Sequence, residues 1–378
     1  MKKALLASTA LVGAALLTAP AQAGTVGSGD NLAVNLKGLI FFQASFLDED
    51  QSAGFGRGYR MNIPEAEITI QASNTADNGI KYGVEIEMEV NTDAGNNADE
   101  AWAFFSGDFG RVELGDQDDA SSRMIVGAHN ATKGTASTSG GLTSHDSIFH
   151  SSTKTAEDRF ISRTDVQAFL TGDATKIIYF TPRISGFQGG ASFTPDVGSN
   201  GADFGETDNG GDYENALGLG LNYVGKFDDV GFSAAITYAT AEDDGNGTVK
   251  EDMEVLAIGA KVDIAGFTVG ANWHDMNETN LTIAEAAAGE DAGTFWAVAA
   301  GYSMGPWGVG AWYSDGERDA SATTEVSLTR WGIGGKYAVA PGWTVFVDYV
   351  QNEHENIEGT AGSNNDSRGF AITQLFTF

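Results

Sequence analysis

Residues 216–224 read Ala-Leu-Gly-Leu-Gly-Leu-Asn-Tyr-Val, and from Leu217 to Tyr223 every second side chain is large and apolar. Residues 267–274, Phe-Thr-Val-Gly-Ala-Asn-Trp-His, repeat the pattern. A period of two places successive side chains on opposite faces of a β-strand. Similar stretches, each about ten residues long and bounded by turn residues, recur along the chain. The pattern predicts an all-β protein whose strands each have one apolar face.

Two architectures have such strands, a soluble β-sandwich and a transmembrane β-barrel. A sandwich covers its outer face with lysine, glutamate and threonine, whereas here the second face is rich in glycine, alanine, asparagine and serine, and the chain has 50 glycines. Aromatic side chains also gather near the strand ends, as the interfacial girdles of a membrane barrel require. These aromatics are Trp102, Trp273, Trp307, Trp312, Tyr313, Trp331, Tyr337, Trp343 and Tyr349. The sequence therefore favours the barrel.

The first 23 residues have the composition of a secretory signal peptide. Lys2 and Lys3 precede an apolar run over residues 4–18, and Ala21-Gln22-Ala23 is a small-residue cleavage site. A retained membrane anchor is the alternative, but the apolar run is shorter than the 18 or so residues that a spanning helix needs. We expect residues 1–23 to be the signal and residues 24–378 to form one barrel domain.

The charge of the chain is strongly acidic, with 21 Lys and Arg against 52 Asp and Glu and a net charge of −31. Removing two signal lysines from −31 leaves −33 for the mature chain. Nucleic acid is excluded as a partner, because binding phosphates needs a basic surface. Cysteine is absent, which suits a closed barrel whose backbone ladder needs no disulfide.

The connections predict the number of strands. Seven short ones alternate with eight long polar ones, so that sixteen antiparallel strands are expected, with both chain ends on the short-turn side. The short connections are 74–79, 107–110, 184–186, 227–231, 264–266, 303–306 and 340–342; the long ones are 47–58, 92–98, 116–172, 195–213, 242–250, 276–291, 315–324 and 354–367. The third long connection would be unusual in a compact domain. A sixteen-stranded barrel is wide enough to take it into the lumen.

Two stretches resemble a known family. Counted back by twos, the last strand has Phe378, Phe376, Ile372 and Phe370, similar to the C-terminal insertion signal of outer-membrane proteins, from which Gln374 departs. The run Trp-Ala-Phe-Phe-Ser-Gly-Asp-Phe-Gly-Arg-Val-Glu-Leu-Gly-Asp over 102–116 resembles the fourth and fifth strands of general Gram-negative porins, especially the alphaproteobacterial type. The resemblance covers the whole mature chain.

The resemblance implies a location, partners and a function. It implies a homotrimer in the outer membrane, surrounded by lipids and lipopolysaccharide and inserted by the barrel insertion machinery. Small hydrophilic solutes and ions would diffuse passively through each pore. The third loop would narrow the pore to an eyelet, the term used here for the constriction.

Charged residues at inward positions are the candidate pore lining. Opposed charges at a constriction create a field that sorts ions. The expected eyelet residues are Lys37, Arg60, Lys81, Arg111, Asp116, Asp118 and Asp119. The other inward carboxylates are Glu65, Glu67, Glu85, Glu87, Glu89 and Glu113. Since the acids outnumber the bases, a preference for cations is expected.

Other functions leave weaker signals. Glu242, Asp244 and Asn246 partly match a calcium-binding loop, but Glu stands at its first position and Met253 at its twelfth; a solvated acidic loop is favoured, and a looser structural Ca²⁺ site stays open. Apart from that ion no cofactor is expected. No nucleophile motif accompanies the five histidines, so an outer-membrane enzyme is not expected. A substrate-selective channel, or a surface-loop receptor or adhesin, remains the alternative on the same barrel.

Overall fold

The computed structural model describes residues 24–26, 32–50, 58–90, 98–132, 134, 171–199, 201, 213–245 and 248–378. The predicted signal over residues 1–23 and Asn246 lie outside this range. Among the described residues no helix is long and apolar enough to cross a membrane.

The chain forms one closed antiparallel sheet. Its strands are β1 (Gly24–Val26), β2 (Ala33–Glu49), β3 (Tyr59–Asn62), β4 (Ala66–Thr75), β5 (Lys81–Glu89), β6 (Ala98–Gly107), β7 (Gly110–Asp116), β8 (Thr175–Phe180), β9 (Phe187–Asp196), β10 (Tyr213–Phe227), β11 (Val230–Asp243), β12 (Met253–Ile264), β13 (Phe267–Asp275), β14 (Thr294–Met304), β15 (Trp307–Ser321), β16 (Thr324–Ala340), β17 (Trp343–Glu355) and β18 (Asn365–Thr377). Pairing of β18 with β2 closes the barrel.

These segments make a sixteen-stranded barrel, as predicted. Both β3 and β4 pair with β2 and are separated by residues 63–65, where Pro64 cannot donate to the ladder. They are therefore two parts of one strand. The three residues of β1 only extend the sheet beside the start of β2.

The seven short connections lie where the sequence placed them, at one end of the barrel. Gly266 and Gly342 turn the chain there with φ of 86° and 76°, a left-handed conformation that glycine adopts without strain. At the other end, the predicted loop over 315–324 is wrong: β15 and β16 continue to Ser321 and Thr324. The charged residues there lie on a projecting hairpin.

Side chains on the outer wall are apolar, and aromatic pairs form two belts, but Trp102 and Trp312, which were predicted for these belts, are buried on the inner side. Trp307 packs on Tyr337 near the short turns, with ring centroids 4.3 Å apart. Trp331 packs on Tyr349 further up the wall, with centroids 5.4 Å apart. Tyr337 and Trp331 lie on β16 and are separated by about 20 Å at a rise of ~3.4 Å per residue. That separation fits an apolar membrane band.

The third loop connects β7 to β8, and its described start, residues 117–132 and 134, lies inside the barrel. Its short helix Ala120–Met124 packs on β8 to β11, and its 3-10 helix Ala128–Ala131 packs on β12 to β14. Ala120 and Met124 form a small core with Ile178 and Phe180 on the inner wall. The other helical segments, Ile283–Ala287 and Ile357–Gly359, lie in loops at the long-loop end.

Candidate functional site

The loop's first helix is held by a cap that also joins the two ends of the loop. The Asp119 carboxylate accepts hydrogen bonds from the backbone N–H of Ser122 at 3.0 Å and from the hydroxyl of Ser121 at 2.6 Å. Thr171, at the far end of the loop, donates to the same carboxylate at 3.0 Å. Of the predicted eyelet acids, Asp119 is thus buried in the helix cap and does not face the open pore.

A buried lysine fixes the base of the loop. The ammonium group of Lys176 on β8 donates to the carbonyl oxygens of Gly172 at 2.8 Å and Ala174 at 2.5 Å, and also to that of Gln117. Asp116, at the end of β7, accepts from the Thr175 hydroxyl at 2.5 Å. These contacts tie the start of the loop to its return.

Two arginines share one buried glutamate on the inner wall. The Glu113 carboxylate on β7 accepts from the guanidinium groups of Arg111 and of Arg123, which comes from the loop helix. Arg111 also lies over the ring of Phe104 at 4.0 Å, and Arg123 lies 5.7 Å from the ring of Trp102. This arginine cluster, Arg111, Arg123 and Glu113, combines ion pairing with cation–π contacts.

The inner wall of β4 to β6 carries an acidic patch. Residues paired across an antiparallel ladder share a face, and the register places Glu67 opposite Glu89 and Glu87 opposite Glu100. Carboxylate oxygens of Glu65, Glu67 and Glu89 lie within 4.8 Å of one another, close enough to share a cation. The acidic wall is defined here as Glu65, Glu67, Glu85, Glu87, Glu89 and Glu100.

Two further acids continue this patch onto the loop. Burial raises the pKa of the Asp118 carboxyl well above its usual range, and the negative charges of Glu100 and Asp173 add to the effect. Burial also raises the pKa of Asp173 to about 6, with a contribution from the charge of Asp99. Acidic groups are therefore crowded where the loop leaves β7 and returns to β8, and this crowding and their burial favour the protonated form of Asp118.

The wall charges are separated along the pore axis. Lys81 pairs with Ser106, which in turn pairs with Arg111, next to the short turns. Glu89 lies eight residues beyond Lys81 on β5, about 27 Å away at ~3.4 Å per residue. The bases of β5 and β7 are therefore at the short-turn end, and the carboxylates face the long-loop end.

The other two predicted bases lie on the neighbouring strands. Lys37 on β2 is opposite Thr69, which is opposite Glu87, so this lysine is level with the acidic wall. Arg60 on β3 is opposite Ser45. The structure thus brings Arg111 and Glu113 into direct contact and keeps Lys37, Arg60 and Lys81 at separate heights.

Three pore residues lie outside the predicted eyelet and lumen sets. Arg123 and Lys176 bind groups that lie far from them in sequence. Glu100 lies beside Trp102, and its carboxylate accepts a hydrogen bond from the Trp102 indole N–H at 3.1 Å. The inward period of β6 identifies Glu100, because it shares the face of Trp102. No sequence pattern identifies the partners of Arg123.

The remaining predicted sites lie at the two ends of the barrel. Glu242 accepts from the Asn215 amide at 3.0 Å, and Asp244 is buried nearby. Phe370, Ile372, Phe376 and Phe378 all face outward on the last strand. Gln374, the departure from the insertion pattern, accepts from the indole N–H of Trp343 at 2.8 Å, which satisfies its amide oxygen at the outer surface.

The chain is similar in sequence to one protein family and to uncharacterized proteins of Rickettsia. A family model described as "Gram-negative porin" matches residues 7–357. An uncharacterized protein of Rickettsia typhi is 25% identical over 217 residues, which are 53% of this chain and 49% of that protein. This chain therefore matches about half the length of that relative.

Two solved structures share the fold. An anion-selective porin from Comamonas acidovorans aligns with a TM-score of 0.64 and 14% identity over 92% of this chain and 100% of that one. The trimer form of OmpT, an outer membrane protein of Vibrio cholerae, aligns with a TM-score of 0.58 and 15% identity over 92% of this chain and 100% of that one.

Proposed function

Because this chain belongs to the Gram-negative porin family, we propose that it forms a water-filled outer-membrane channel through which small hydrophilic solutes diffuse passively, with a preference for cations. The acidic wall carries the proposal. Its carboxylates lie in the lumen at the long-loop end, where they raise the local concentration of cations.

The bases described above offset this charge only in part. Arg111 and Arg123 share the single carboxylate of Glu113, which leaves one positive charge, and Lys176 is enclosed by backbone carbonyls. The other predicted eyelet bases are Lys37, Arg60 and Lys81, whereas the acidic wall has six carboxylates. The fold does not decide whether a channel prefers cations or anions, since the Comamonas acidovorans neighbour is described as anion-selective. In this proposal the side chains that line the lumen set the preference.

The test is the reversal potential of the purified protein in a planar bilayer under a KCl gradient. We expect potassium preference that weakens as salt shortens the Debye length from ~10 Å at 0.1 M to ~3 Å at 1 M. The double variant Glu85→Gln/Glu89→Gln is expected to lower the K⁺/Cl⁻ permeability ratio by roughly two-fold, since it removes two carboxylates from the lumen.

The matched control removes two carboxylates from the same end of the barrel but from its outer face. Glu353 and Glu355 on β17 are exposed, and they flank the buried His354. Glu353→Gln/Glu355→Gln should leave the ratio unchanged. Chloride preference of the wild-type channel at low salt would show that the bases dominate and that the proposed selectivity is wrong.

We also propose a homotrimer. The support is family membership and the trimer form described for the Vibrio cholerae neighbour. The expected interface includes the outward residues Val34, Leu36 and Ile40 of β2. Family membership favours a channel over an enzyme, and nothing in the described lumen favours a selective channel or receptor over a diffusion pore.

A further inference from the structure

The described start of the third loop, residues 117–132 and 134, lies against the inner wall, and the wall carries glycine at the points of contact. The Met124 side chain lies against Gly190 and Gly220. The carbonyl oxygen of Val126 lies against Gly259, and that of Gly127 lies against Gly270. Glycine inside a strand often marks a place where another chain segment approaches closely.

Adding one methyl group to these glycines shows how close the approach is. A Cβ at Gly220 would lie 2.7 Å from Sδ and 2.9 Å from Cβ of Met124. A Cβ at Gly259 or Gly270 would overlap a loop carbonyl oxygen. Ordinary contacts between carbon atoms are about 3.5–4 Å, so the loop can keep its position only if these residues lack a side chain.

The contacts follow the circumference of the barrel. We define the glycine lane as the inward glycines that meet the loop on β9, β10, β12, β13 and β16, namely Gly190, Gly218, Gly220, Gly259, Gly270 and Gly334. The loop meets them in chain order, from Asp119 at Gly218 to Gly134 at Gly334. The inward residues between them, such as Ala257, Ala297 and Ala299, are buried and also small.

We propose that the glycine lane determines the free width of the channel for solutes and ions by holding the third loop close against the wall opposite the acidic wall. The proposal rests on the proposed function, since the free width matters only in an open channel. A side chain in the lane would displace the loop into the lumen, because packed interiors accommodate an extra methyl group only by moving their neighbours.

The alternative is that these glycines only allow the strands to bend. It predicts that a glycine's effect does not depend on which face it occupies. Gly189 and Gly190 are adjacent on β9, but a Cβ at Gly189 would find its nearest neighbour, Cγ2 of Thr181, at a comfortable 3.7 Å. The outward glycine is therefore a matched control for the lane.

The experiment compares single-channel conductance of the full-length protein, Gly220→Ala and Gly189→Ala. We expect Gly220→Ala to lower the conductance and raise the open-channel noise, and Gly189→Ala to behave as the wild type. Gly259→Ala should have a larger effect than Gly220→Ala, because its methyl group meets loop backbone and not a flexible thioether.

A rescue separates displacement of the loop from general damage. At Gly220 the three nearest atoms all belong to the Met124 side chain and include its Cβ, so Met124→Gly/Gly220→Ala should recover the conductance of Met124→Gly alone. If Gly220→Ala fails to fold, recovery of heat-modifiable barrel on gels by Met124→Gly supports the lane equally. Unchanged conductance in Gly220→Ala, equal effects at Gly189, or no rescue would overturn the proposal.

A second readout keeps this test independent of the proposed function. Protease cleavage within the third loop of folded barrels should be slow in the wild type and faster in Gly220→Ala. A wild type without conductance would refute the channel, and the lane would still be judged by cleavage. Equal cleavage of the two proteins would count against the lane whatever the conductance.

Discussion

Glu113 is a fully buried carboxylate that holds together two arginines from different parts of the chain. Removing one partner of a buried ion pair leaves charge uncompensated and typically costs about 3–5 kcal/mol. We therefore expect Glu113→Gln to reduce the free energy of unfolding by roughly 3 kcal/mol. Thermal unfolding in detergent, followed by the loss of heat-modifiable barrel, measures it.

Glu85→Gln is the control for that substitution. Glu85 lies on the same inner wall, and its carboxylate accepts from the Gln71 amide at 2.6 Å without pairing to an arginine. The two variants change the lumen charge equally. Both should reduce cation preference, and only Glu113→Gln should lose much stability. A similar melting temperature for both would show that the arginine cluster is not an important source of stability.

At the scale of elements, the third loop carries a buried histidine. His129 lies in the 3-10 helix, and the backbone N–H of its neighbour Ala128 donates to the side chain of Asn272 at 2.8 Å. Burial and, to a smaller extent, the positive charge of Lys261 lower the pKa of His129 to about 4. The side chain of His274 on β13 also interacts electrostatically with His129.

Acid should therefore loosen the loop. Free histidine has a pKa near 6.5. Between about pH 6.5 and pH 4, His129 is therefore protonated when the loop is undocked and neutral when the loop is docked. The contribution of His129 to the free energy of loop docking is fully present above pH 6.5, and about 3 kcal/mol of it is lost as the pH falls to 4. Cleavage of the loop by an acid-tolerant protease at pH 7 and pH 4.5 measures the effect.

A variant separates the effect of His129 from that of groups whose protonation stabilises the docked loop. The pKa of Asp173 is raised to about 6, so its protonation favours the folded loop as the pH falls. His129→Gln keeps Asp173 and His274 and should reduce the acid-induced cleavage markedly. An identical increase in cleavage in His129→Gln and the wild type would show that His129 is not responsible.

The strands were predictable from sequence because each is decided locally, whereas the loop's path is not. Leu217, Leu219 and Leu221 face lipid whatever the rest of the chain does. The hairpin over 315–324 was missed since Asp315, Glu317 and Asp319 resemble a loop, yet they are on strand positions that extend beyond the apolar band. Small inward glycines were expected, but which of them would support the loop depends on contacts between distant strands.

At the scale of the whole molecule, the barrel arranges its charge along its axis. The acidic wall lies toward the long-loop end, and Lys81 and Arg111 lie next to the short turns, so a solute entering from the long-loop end meets carboxylates before it meets these two bases. Predicting this order from sequence requires only knowing which side chains face inward and at which end of the barrel each turn lies. The buried pairing of Arg111 and Arg123 with one glutamate, which decides how much positive charge remains, required the folded loop.

The proposed trimer makes a prediction for the outer wall. Ile40 on β2 is 40% exposed and Ile236 on β11, eight barrel strands away, is 45% exposed, so both are apolar and outward in the monomer. An arginine facing lipid costs up to about 2–4 kcal/mol at either position. If β2 forms the interface, Ile40→Arg also places three like charges near the threefold axis and should shift the protein from trimer to monomer on mild-detergent gels, while Ile236→Arg remains trimeric. Trimer persistence in Ile40→Arg together with dissociation of Ile236→Arg would assign the interface to the opposite wall, and a wild type that is monomeric by cross-linking would refute the assembly itself.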